Sequence, residues 1–120
     1  PELKADLRET LAIADRAGMK KKSIILDPGV GFAKTREQNL EVIASLDSLH
    51  ELGCPVLLGA SRKSVIGLTL DVPVTERLEG TLVTTVFAVL SGCSHVRVHD
   101  VKENVRAVRM AEAIAEYRIR

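Results

Sequence analysis

Three short apolar runs, each followed by a polar loop and then by a stretch of helical period, constrain the fold of this chain more than any other feature. The runs lie at 23–27, 55–59 and 96–99 and read as buried strands. Before the first, Leu3, Leu7, Leu11 and Ala14 recur at helical spacing and stop near Gly18. After it, Thr35 opens a helix with Gln38 completing a capping box; Leu40, Ile43 and Leu49 point inward, and the helix ends before Gly53. The spacing predicts a third helix over 75–90, burying Leu78, Leu82, Val86 and Val89 and terminated by Gly92. Asp100 is expected to cap a last helix, with Glu103 completing its box and Val101, Val105, Val108 and Ile114 as the inner face.

Strands alternating with helices in this rhythm imply an α/β fold, with three parallel strands joined by right-handed crossovers. Open doubly wound sheets and eightfold barrels share the rhythm. Three strands cannot close a barrel, and a complete one takes about 250 residues, against 120 here.

Composition narrows the function. Lys and Arg total 17 against 16 Asp and Glu, a net charge of +1, so there is no one-sided basic field for nucleic acid or a membrane surface. With 2% aromatic residues, a base-stacking platform is also excluded. No apolar run approaches the roughly 20 residues of a membrane helix. The N-terminus lacks the pattern of a signal peptide, and the expected location is the cytoplasm. Cys54 and Cys93 make no metal spacing and are expected to be reduced. The first residue is Pro1 rather than Met, which fits a segment of something longer.

In parallel α/β folds the chemistry sits beyond the carboxyl ends of the strands. Those ends read Asp27-Pro28-Gly29-Val30-Gly31-Phe32, Gly59-Ala60-Ser61-Arg62-Lys63-Ser64 and Arg97-Val98-His99-Asp100. Strand alternation puts Asp27 on the face opposite Ile24 and Leu26, and Arg97 and His99 opposite Val96 and Val98. A cation, an imidazole and a carboxylate then point to one side, where an unpaired charge is costly to bury and a charged ligand would offset that cost. Gly29 and Gly31 permit close approach of backbone to ligand, Gly59 leaves room for a flat ligand, and the helix start after Asp100 favours a phosphate. Each residue also has a plainer role. Asp27 can be a turn-former, Arg97 can pair with Asp27, His99 can be a core histidine, and the Ser61–Ser64 run, like Lys34 and Arg36, can be a solvated basic turn.

Together, Asp27-Pro28-Gly29-Val30-Gly31-Phe32-Ala33-Lys34, Gly59-Ala60-Ser61-Arg62-Lys63-Ser64 and Arg97-Val98-His99-Asp100-Val101 resemble the dihydropteroate synthase family of pterin-binding enzymes. Glu76-Arg77-Leu78-Glu79-Gly80-Thr81 resembles the family's segment before its penultimate helix. The resemblance spans nearly the whole chain and implies that residues 1–120 are the C-terminal portion of a (βα)8 TIM barrel, an incomplete pterin-binding domain. The implied reaction condenses 6-hydroxymethyl-7,8-dihydropterin diphosphate with 4-aminobenzoate, releasing diphosphate with the help of Mg²⁺. The implied pterin-binding residues are Asp27, Gly59, Lys63 and Arg97; Arg97 and His99 bind the diphosphate, and Phe32, Lys63 and Ser64 line the aminobenzoate position where sulfonamides compete. Lys63 and Arg97 carry the catalytic roles.

The resemblance assigns no metal ligand to this chain, because the family's metal-binding Asn, its other pterin-binding Asp and Asn, and two early loops belong to strands absent here. Exposed sheet edges and the family's last helices lead to the expectation of a homodimer or swapped oligomer, and of no activity from the piece alone. A pterin-binding methyltransferase would share the barrel and Asp27 but has no use for a diphosphate clamp. A non-catalytic phosphate-binding half-barrel is the remaining alternative.

Overall fold

The computed structural model describes residues 2–20, 24–31 and 34–118. Helix α1 (Glu2–Arg16) lays Leu3, Leu7 and Leu11 against the core. Helix α2 (Arg36–Ala44) starts at Thr35 with both bonds of the expected capping box, then tightens into a 3₁₀ turn over Leu46–Leu52 that ends at Gly53. Strand β1 (Leu57–Leu58) follows, then α3 (Ser64–Leu70), a 3₁₀ turn over Val74–Glu76, α4 (Leu78–Leu90), β2 (His95–Val96) and α5 (Val101–Ala115).

Among the described residues there are two parallel strands rather than the three expected, with Leu57 opposite His95 and Leu58 opposite Val96. The first apolar run contributes a single parallel bridge, Leu26 to Val56. Leu26 donates to Pro55 O at 2.8 Å and accepts from Leu57 N at 2.7 Å. The ladder stops there because Pro28 has no N–H and Asp27 folds back onto the turn. Beneath the strand positions lies an aliphatic core that includes Leu26, Val30, Ile43, Leu46, Leu49, Val56, Leu58 and Val65. Of the apolar residues in the first two runs, Leu58 is buried and Ile25 is exposed.

Three helical expectations need correction. Ser64, read as the end of a basic turn, is the first residue of a helix, Ser64–Leu70, where the sequence predicted no element. The third helix begins at Leu78 rather than at 75, and its buried residues are Thr81, Thr85 and Ala88 rather than the larger aliphatics. In α5, Val101, Val105 and Ile114 are exposed, whereas Asn104 and Ala111 are buried. The cause is common to α4 and α5: the two pack mainly on each other, and small or polar residues at the contact let the helices approach closely. Gly80 serves the α3–α4 contact the same way. A Cβ there would stand 2.3 Å from Ile66 Cγ2, far inside van der Waals contact.

Candidate functional site

The loop after Leu26 is a turn held by its own aspartate. Asp27 Oδ1 accepts the Gly29 N–H at 2.8 Å, an Asx turn that a Pro-Gly step suits. The turn-forming role is therefore real, and it leaves the second oxygen available. Asp27 Oδ2 faces Arg97 Nη2 at 3.8 Å, beyond hydrogen-bond range. With the Arg97 side chain 69% exposed, this contact adds little stability.

Lys63 ties the three strand ends together. It comes from the loop after β1, and its Nζ donates to Val30 O at 2.6 Å. Its stem crosses Gly31, where an added Cβ would lie 3.3 Å from Lys63 Cδ and where φ is +92°. Glycine is thus demanded there both by conformation and by close approach. A Cβ at Gly59 would stand 3.8 Å from Arg97 Nη1 and 3.9 Å from Lys63 Nζ, so Gly59 is the floor between the two cations. Burial pushes the Lys63 ammonium below its ordinary pKa; Asp27 opposes that shift, while Arg97 and Lys34 add to it. Asp27, Gly59, Lys63 and Arg97 are thereby brought into one cluster.

His99 and Ser64 stand beside this cluster in different ways. His99 Nδ1 lies 2.8 Å from Ser61 Oγ, across the gap between the second and third strand ends. Ser64 is the exposed first residue of α3. Phe32 lies outside the described residues. Two basic residues expected to reach solvent are engaged instead. Lys34 Nζ donates to Gly29 O at 3.0 Å, bracing the Asp27 turn from below, and Arg36 Nε donates to Thr69 Oγ1 at 3.2 Å, joining α2 to α3.

Sequence reasoning missed the layer that holds these loops. The buried polar side chains are Asn39, Ser61, Thr81, Thr85 and Asn104, and all five serve the strand ends or the helices behind them. Asn39 Oδ1, on α2, accepts the Gly31 N–H at 2.9 Å. Thr81 Oγ1, on α4, accepts the Arg62 N–H at 3.1 Å. Thr85 Oγ1 donates to Asn104 Oδ1 at 2.6 Å, and Asn104 Nδ2 donates to Asp100 O at 2.8 Å. The one available signal was polar residues at helix positions that face inward, where a buried polar group requires a partner.

Arg62 is a structural anchor rather than a solvated cation. It adopts φ 56°, rare for a side-chain-bearing residue. Its carbonyl accepts from Arg77 Nη1 at 3.0 Å, and its guanidinium reaches Asp100 Oδ1 at 2.9 Å. Asp100 was expected to be occupied as a side-chain cap with Glu103. It makes no side-chain cap bond, because its carboxylate is held by Arg62.

The described residues contain no group of three or more His, Cys, Asp or Glu side chains that could hold a metal ion. Neither cysteine is in a disulfide, and burial raises the Cys93 thiol pKa, away from reactivity. No helix among the described residues is long and apolar enough to cross a membrane.

A model of the pterin binding enzymes matches residues 1–99. A dihydropteroate synthase of Clostridium beijerinckii is 56% identical over 110 residues, covering 91% of this chain and 41% of that protein. The dihydropteroate synthase of Clostridium difficile, solved in the presence of pteroic acid, is similar with a TM-score of 0.90 and 51% identity, over 98% of this chain and 44% of that one. That of Yersinia pestis, solved as a sulfonamide drug complex, gives a TM-score of 0.93 at 36% identity, over 98% and 43%. The chain thus spans roughly two-fifths of the Clostridium beijerinckii protein's length. Matched over more than three-quarters of its length by that family model, this chain belongs to the pterin binding enzymes.

Proposed function

We propose that the chain forms one wall of a dihydropteroate synthase site, with its strand positions as neighbouring staves of an eightfold βα barrel. The observation that carries this reading is the cluster of Asp27, Lys63 and Arg97 around Gly59, drawn from three separate strand ends. A carboxylate matches the paired N–H donors of the pterin's aminopyrimidine edge. Lys63 donates to the pterin's ring acceptors, and Arg97 faces its π-system while holding the diphosphate with His99. In the reaction the bond between the pterin methylene and the diphosphate oxygen breaks. The arylamine nitrogen bonds to the methylene and gives up a proton to solvent. The cations stabilise the charge that develops on the leaving oxygen, so no covalent nucleophile is required.

The aminobenzoate position is assigned to Phe32, Lys63 and Ser64, with sulfonamides as competitors; the pteroic acid of the Clostridium difficile structure and the sulfonamide complex of the Yersinia pestis one support these classes of ligand. Magnesium is proposed as a helper of diphosphate departure in the complete site. The described residues form no His, Cys, Asp or Glu cluster for it. A homodimer or swapped oligomer and a cytoplasmic location complete the proposal. The test is complementation. The purified chain is expected to form no dihydropteroate by itself and to do so when it replaces the aligned segment of the Clostridium beijerinckii enzyme. A folded chimera without turnover would reject the reading.

A further inference from the structure

Ser61 is buried at 6% exposure and lies between two groups of the same residue, the backbone and the ring of His99. Its hydroxyl has one proton to give and two lone pairs to receive. The His99 backbone N–H can only donate, and it does so to Ser61 Oγ at 3.2 Å. That leaves the 2.8 Å contact between Ser61 Oγ and His99 Nδ1. If Nδ1 carried a proton, Oγ would accept twice, and the hydroxyl proton of a buried serine would have no acceptor among the described residues. Burying an unsatisfied hydroxyl is unfavourable. If Nδ1 is bare, every donor has an acceptor: the backbone N–H gives to Oγ, and Oγ–H gives to Nδ1.

We propose that Ser61 is a positioning residue that holds the neutral His99 ring in its Nε2–H tautomer. The ring nitrogen turned away from Ser61 is then the one that donates. For an anion beside Arg97 this is the useful form, because a bare Nε2 would present a lone pair to phosphate oxygens. The consequence for diphosphate rests on the function proposed above; the tautomer rests on the Ser61 geometry alone. The Arg62–Asp100 ion pair holds the serine's loop to the start of α5, and the Arg62 N–H bond to Thr81 holds it to α4, so the hydroxyl has a fixed place from which to act.

The tautomer can be read directly by heteronuclear NMR of the histidine ring nitrogens in isotope-labelled protein, above the pH at which the imidazole is charged. His99 is assigned by its loss in His99→Gln. The expected result is a protonated Nε2 and a bare Nδ1 for His99, with mixed tautomers in Ser61→Ala and recovery in Ser61→Thr, which keeps the hydroxyl. Binding of inorganic diphosphate should fall about threefold to tenfold in Ser61→Ala, the scale of one hydrogen bond, and recover in Ser61→Thr. A His99 ring protonated at Nδ1, or equal populations of the two tautomers in the unsubstituted protein, overturns the proposal. So does a Ser61→Ala protein whose tautomer is unchanged. A held Nε2–H form whose loss leaves diphosphate binding unaltered upholds the tautomer and counts against the diphosphate role of His99.

Discussion

Replacing Asn104 with Ala should destabilise the protein by about 3–5 kcal/mol. Asn104 is 2% exposed and Thr85 is 1% exposed, so water cannot take over either partner's bond without opening the contact between α4 and α5. The substitution removes the 2.6 Å bond from Thr85 Oγ1 and the 2.8 Å bond to Asp100 O. Each bond contributes on the order of 1 kcal/mol net, and a buried hydroxyl left without an acceptor adds about 1–3 kcal/mol. Thr85→Val, which keeps the shape and removes the donor, should cost less because only one bond is lost. The two substitutions should also fail to add, since they share that bond. Urea unfolding followed by circular dichroism, with the slope held common, reads the differences. An Asn104→Ala protein within about 0.5 kcal/mol of the parent, the range of ordinary surface changes, would refute the view that this pair fastens the last helix.

Gly80→Ala should cost about 1–3 kcal/mol by overpacking, because the added Cβ would stand 2.3 Å from Cγ2 of the buried Ile66 and force a shift; thermal unfolding at an unchanged value would contradict this. Lys34→Ala should lower turnover of the chimera by about threefold to tenfold through the loosened Asp27 turn, less than Lys63→Ala, and a silent Lys34→Ala would show that the Gly29 contact is dispensable. Lys63 should also leave a signature in stability against pH. Its folded pKa lies below the ordinary 10.5, so between the two values the unfolded chain binds more protons, and stability rises with pH across that window. Lys63→Met should flatten the rise; identical pH profiles for the two proteins would mean that burial does not perturb the ammonium.

The helix starts and stops that follow from local chemistry were legible in the sequence. Thr35 with Gln38 caps α2 as its spacing implies, and Gly53 ends the turn that follows. The strand-end loops were legible too, because glycine and charge at the carboxyl end of apolar runs have few other uses. What escaped was set by tertiary contact. The Ser64–Leu70 helix is too short to show a period. The buried residues of α5 are Asn104 and Ala111, so a hydropathy stripe picks the wrong face. Lys34, Arg36 and Arg62 look like solvent-facing cations in the sequence, and only the folded chain brings Gly29 O, Thr69 and Asp100 to them. The first apolar run pairs at Leu26 alone, a limit imposed by Pro28 and the Asp27 turn.

The central claim is that Asp27, Lys63 and Arg97 form one wall of a pterin diphosphate site. Calorimetric titration of 6-hydroxymethyl-7,8-dihydropterin diphosphate into the chimera tests it most directly. Loss of one charge-assisted hydrogen bond costs roughly 1.5–3 kcal/mol, so Asp27→Ala and Lys63→Ala should each weaken binding by about tenfold to a hundredfold, while the folded state, monitored in parallel, persists. Affinity unchanged by both substitutions in a folded protein would contradict the account.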